Sequence, residues 1–150
     1  MPRSDMRESD GFTLIEMLVA VAIIGVIAVQ GFATFQSYLK KAKSVEGEQA
    51  LSELKRLEEL YFDATLEYSS DLPTLGWSLR SPLKYYSITS IKLNGAGPPP
   101  FLYQIIATAN LDNDPDLDAW VLTMDMNRSP TLRHGCIPGG AGAVQFDCTD

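Results

Sequence analysis

Between Phe12 and Phe35 the chain contains no lysine, arginine, aspartate or proline, and its one ionisable residue is Glu16. That run meets the roughly 20 residues that a helix needs to cross the hydrocarbon of a bilayer. It reads as a membrane span. Glu16 is the exception within it, because a carboxylate near that depth costs on the order of a few kcal/mol unless it is neutralised or paired. Either it lies close enough to the interface to reach water, or a partner meets it.

The residues around Glu16 narrow the choice. A short polar leader ends in Gly11, Phe12-Thr13-Leu14-Ile15-Glu16 follows, and an uninterrupted apolar helix comes next. This cluster resembles the type IV prepilin signature, which type IV pilins share with the pseudopilins of type II secretion. The resemblance is carried by Ser9 to about Lys43 and is only architectural beyond. It implies that a membrane-embedded prepilin peptidase cuts between Gly11 and Phe12 and methylates the new Phe12 amine. It also implies a partner for Glu16, namely the Phe12 amine of a neighbouring subunit in a filament. Breaking such a buried pair would leave an uncompensated charge at a cost of roughly 3 to 5 kcal/mol. Phe12 and Glu16 are four residues apart on one helix, so a contact within the subunit competes.

The chain is acidic, with 150 residues and a net charge of -7. Loss of the leader, which holds two arginines (Arg3, Arg7) and three acids (Asp5, Glu8, Asp10), changes the charge to -6. Such a chain has no broad electrostatic footprint for nucleic acid, and none is expected as a partner. Cys136 and Cys148 fit neither a CxxC motif nor zinc spacing, and after a membrane-inserted segment they read as one periplasmic disulfide. Its loop of about a dozen residues would contribute roughly 2 to 3 kcal/mol; two buried thiols are the other reading. The count of basic residues does not fix orientation, since Arg3 and Arg7 precede the span while Lys40, Lys41 and Lys43 follow it. The cysteines, with the resemblance, place the chain beyond about residue 40 outside the cytoplasm.

One long helix is expected from about Phe12 to about Tyr68. Past Lys43 it is amphipathic, with Val45, Ala50, Leu54, Leu57, Tyr61, Ala64 and Tyr68 on one side. Glu46, Glu48, Glu53, Lys55, Arg56, Glu58, Glu59 and Asp63 are expected on the other faces. Pro73 stops the helix. The runs Lys84–Leu93, Phe101–Ala109 and Ala119–Met126 are rich in Ile, Tyr, Val and Thr and are divided by turn residues, so an antiparallel sheet of three or four strands should lie on the helix. Leu72 to Pro82 would connect the two. The tail after Pro130 looks too rich in glycine to hold itself and is expected to be fastened by the disulfide; it resembles the disulfide-bounded loop of type IV pilins. The fold class is α+β, with a leader at 1–11, a transmembrane and filament-core helix at 12–43 and a globular head at 44–150. Many pilins have a proline about twenty residues into the helix; here Gln30-Gly31-Phe32-Ala33 occupies that region, and Gly31 is its weakest point.

Asp112, Asp114, Asp116 and Asp118 alternate along one stretch, as oxygen ligands do in calcium loops. The turn glycine and bidentate glutamate of an EF-hand are missing, and Pro115 stiffens the middle, so a solvated acidic turn is the plainer reading. No cofactor is expected otherwise. Catalysis has little support: the one histidine, His134, is expected at the surface, and GxSxG, P-loop and HExxH motifs are missing. The resemblance thus implies a structural subunit, stored in the bacterial inner membrane and assembled with copies of itself by inner-membrane pilus machinery into a surface filament serving adhesion or motility. A type II secretion pseudopilin, forming a periplasmic pseudopilus, and a minor pilin are the alternatives.

Overall fold

The computed structural model describes residues 11–77, 83–146 and 148; the leader up to Asp10 and part of the expected connection between helix and sheet, at 78–82, lie outside them. Helix α1 spans Leu14–Thr65. Four strands follow, β1 (Ser87–Gly95), β2 (Phe101–Ala109), β3 (Leu117–Asp125) and β4 (Pro130–Ile137), all antiparallel in the order β1-β2-β3-β4. The chain divides into two compact units at Tyr38 and Leu39.

In the first unit the helix is apolar on every side, so it has no stripe with which to bury itself in a head of its own. Its most apolar 18-residue window has a mean hydropathy of 2.3, and none of that window is buried. By length and composition it can cross a membrane.

In the second unit the remaining helical turns meet the sheet. Gly47, Leu51, Leu54 and Glu58 recur at the spacing of one helical face, and Leu51 and Leu54 are fully buried. Opposite them the sheet presents Tyr103, Ile105 and Ala107 from β2, each two residues apart as the pleat requires. Their neighbours across the ladder are Met124, Leu122 and Trp120 of β3. Small faces large in the last pair, Ala107 against Trp120. Each fully buried leucine of this layer contributes on the order of 2 kcal/mol.

Gly47 is a point of close approach between the helix, β3 and the segment ahead of β1. A Cβ there would lie 2.7 Å from Trp120 Cδ1 and from Tyr86 Cε1. Gly47→Ala is therefore expected to destabilise the head by about 1 to 2 kcal/mol, even though alanine favours the helix by about 1 kcal/mol. Thermal melting in detergent, followed by near-ultraviolet circular dichroism, measures this directly; an unchanged or raised midpoint would contradict the tight contact.

Two expectations are corrected. The chain after Pro130 is held by more than its disulfide: Pro130–Ile137 forms β4, paired with β3 from Pro130 opposite Met124 to Ile137 opposite Leu117. Gly135 serves this arrangement, since a Cβ there would lie 2.3 Å from the Gln145 carbonyl oxygen. Cys136 and Gln145 exchange both backbone hydrogen bonds, each 2.8 Å, which ties the last segment to the edge of the sheet. The second correction concerns the helix acids, because Glu58 is fully buried and Glu46 is half-buried rather than solvated.

Candidate functional site

Gly11 and Phe12 are exposed and precede the first helical residue. Phe12 is 80 % exposed, and nothing lies within 4 Å of where a Gly11 Cβ would be. The peptide between them is thus accessible in an irregular stretch, the kind of segment a peptidase can take into its active site.

Immediately after it comes a reciprocal cap. The Glu16 carboxylate accepts hydrogen bonds from the Thr13 backbone N–H at 2.8 Å and from the Thr13 hydroxyl at 2.6 Å, while the Glu16 N–H donates to Thr13 Oγ1 at 3.3 Å. Thr13 precedes the helix and Glu16 is its third residue, which is the capping-box arrangement. It satisfies donors of the first turn that have no partner within the helix. Both Thr13 bonds fall on Oε2. Sequence reasoning gave Glu16 a partner in another subunit and overlooked Thr13, although Thr-x-x-Glu ahead of an apolar run is a readable signature.

Cys136 and Cys148 form a disulfide with Cα atoms 6.0 Å apart. The four alternating aspartates are placed differently from one another. Asp112 pairs with Lys40 at 2.9 Å. Asp114 accepts the Asp116 N–H at 2.9 Å, and Asp116 accepts the Gly139 N–H at 2.8 Å. Asp118 has left the turn: it is the second residue of β3 and is buried. Its carboxylate accepts a short hydrogen bond from the Tyr86 hydroxyl and pairs with His134 Nε2 at 2.8 Å. His134 is half-exposed, as expected of a surface residue, but it sits in β4 and its ring also lies 4.7 Å from that of Trp120. Among the described residues, no three His, Cys, Asp or Glu side chains converge as a metal site.

A second carboxylate organises the start of the sheet. Glu46 accepts the backbone N–H groups of Lys84, Tyr85 and Tyr86 at 2.7, 2.7 and 2.9 Å. Burial would raise its pKa, but the three amides outweigh burial and hold it below the usual carboxylate value.

Residues 6–29 match the family described as the prokaryotic N-terminal methylation motif. The match covers Gly11, Phe12, Thr13, Glu16 and the first part of the apolar helix, the same residues whose geometry is described above. This chain therefore carries the class III signal shared by type IV pilins and pseudopilins, followed by an α+β head of one long helix on a four-stranded antiparallel sheet.

Proposed function

We propose that this chain is a type IV pilin precursor: anchored in the inner membrane by its apolar helix, cut between Gly11 and Phe12, methylated at Phe12, and assembled with its own copies into a surface filament. The observation that carries this reading is an apolar helical unit exposed on every side and joined to a stably packed head. Lipid covers such a helix before assembly, and the helices of neighbouring subunits cover it afterwards. Prepilin peptidase and the inner-membrane assembly machinery are the partners implied, and adhesion or motility is the use of the filament. The acidic head faces solvent in this arrangement.

The capping box refines the role of Glu16. Because Thr13 occupies Oε2, Oε1 can accept the Phe12 ammonium of a neighbouring subunit without dismantling the cap. Glu16 then both closes its own helix and sets the register of the next. No metal enters this proposal, since each of the four candidate aspartates already has a protein partner.

Glu16→Ala tests the reading. Cleavage after Gly11 should persist, while the yield of sheared filaments should fall at least about tenfold, as loss of a desolvated ion pair would dictate. Filaments at normal yield from Glu16→Ala cells would contradict the pairing.

A further inference from the structure

The chain is acidic as a whole, at -7, yet one band of it is basic. Lys40, Lys41 and Lys43 follow five to eight residues after Phe35, where the apolar run ends. The Glu46 carboxylate, by holding the backbone N–H groups of Lys84, Tyr85 and Tyr86, brings a distant segment against the same turns of the helix. Both Lys43 and Lys84 reach the Tyr85 ring, their ammonium nitrogens 5.5 and 5.0 Å from its centroid. Two of the acids nearby are engaged: Asp112 pairs with Lys40, and Glu46 is occupied by the three amides. Lys41, Lys84 and Tyr85 are exposed.

We propose that Lys41 and Lys84, with Tyr85 beside them and Lys43 held next to its ring by a 2.9 Å bond to the Leu111 carbonyl, form a docking surface for the headgroups of anionic phospholipids while the subunit waits in the bilayer. The inference rests on the membrane reading of residues 12–35. A helix rises about 1.5 Å per residue, so Lys40 to Lys43 lie about 8 to 12 Å beyond Phe35, the depth of the polar headgroup region that borders the hydrocarbon. Lysine and tyrosine are the side chains that anchor at that level, with the charge in water and the carbon stem or ring in the interface. Fixed cations beside a layer of phosphates attract it. Charge complementarity thus names the occupant, and the backbone clamp from Glu46 explains why Lys84 and Tyr85, some forty residues on, belong to the band.

The sign of lipid selectivity separates this surface from the bulk charge, since an acidic chain should otherwise avoid anionic lipid. The full uncut chain is reconstituted in phosphatidylcholine vesicles, and electron paramagnetic resonance compares contact by spin-labelled phosphatidylglycerol with contact by spin-labelled phosphatidylcholine. Phosphatidylglycerol should be favoured about threefold or more at low salt, and the preference should fade towards about one as salt screens it. The double variant Lys41→Gln, Lys84→Gln should lose most of the preference, while Lys55→Gln, Lys92→Gln should keep it. A ratio at or below one for the native chain would overturn the proposal, as would a double variant that behaves like the native chain. Loss of the preference on adding inorganic phosphate would point to a phosphate site instead and overturn it too. Failure of the chain to float with the vesicles after alkaline washing would remove the membrane reading itself, which distinguishes the two.

Discussion

Asp118→Ala is expected to cost the head about 2 to 3 kcal/mol, the penalty for leaving the buried Tyr86 hydroxyl without its acceptor and emptying the site the carboxylate fills. Asp118 joins three elements: its own strand β3, Tyr86 ahead of β1 and His134 in β4. Burial first, and then the bond to Asp118, raise the Tyr86 hydroxyl well above its ordinary pKa, so it stays a neutral donor. Without Asp118 that hydroxyl, on a side chain only 3 % exposed, is left with weaker partners such as Ser44 Oγ at 3.4 Å. Asp118→Asn should cost only about 1 kcal/mol, because an amide can still accept from Tyr86 and face His134. The difference between the two variants, read from thermal midpoints in detergent, is the measurement. If alanine and asparagine were equally mild, the cluster would not be what ties β3 and β4 to the chain ahead of β1.

The native chain is expected to lose stability as pH rises through about 7, and Glu58 is the cause. Burial raises its carboxyl pKa to about 7; the Ser69 N–H, 3.1 Å from Oε2, works against that, and nearby Glu59 adds to it. In the unfolded chain the same group titrates near its ordinary value of about 4.3. A raised carboxyl pKa means that the folded state binds the proton more tightly, so the contribution is full below about 4.3 and is lost as pH climbs through 7. A shift of this size corresponds to roughly 3 kcal/mol. Glu46, depressed by its three amides, acts oppositely and only in the acid range, so between about pH 5 and 8 the Glu58 effect stands alone of the two. Glu58→Gln should flatten the profile and make the chain more stable than the native one at pH 8. Midpoints that stay level from pH 5 to 8 in the native chain would contradict a buried carboxyl here.

Much of this was legible in the residues, and the failures have physical reasons. The apolar helix, its amphipathic continuation and strands β1 to β3 announce themselves because their periodicities are clean; β2 falls on Phe101–Ala109, the run read from sequence. Strand β4 was missed because it is an edge strand, mostly exposed, in which Arg133, His134 and Gly135 interrupt the alternation. Glu58 was assigned to solvent by its charge. Its spacing from Leu51 and Leu54 held the opposite signal, since the three share a helical face.

Asp118 misled for a related reason. It shares an alternating register with Asp112, Asp114 and Asp116, yet β3 begins at Leu117 and the pleat turns Asp118 inward while the others stay in the turn. Composition alone cannot show where a strand starts. The methylation motif was legible because its residues, Gly11, Phe12 and Glu16 among them, lie within six positions of one another and need no tertiary structure to be recognised; the Thr13 cap inside it was overlooked. The Glu46 clamp was not legible, because backbone amides almost forty residues away carry no side-chain signature.

The central claim, a cleaved and methylated subunit built into a surface filament, is tested most directly by mass spectrometry of filaments sheared from native cells, with and without reduction. The account predicts an abundant chain beginning at methylated Phe12, heavier by about 2 Da once the Cys136–Cys148 disulfide is reduced. A chain that still begins at Met1, or a processed chain confined to the cell envelope, would contradict it.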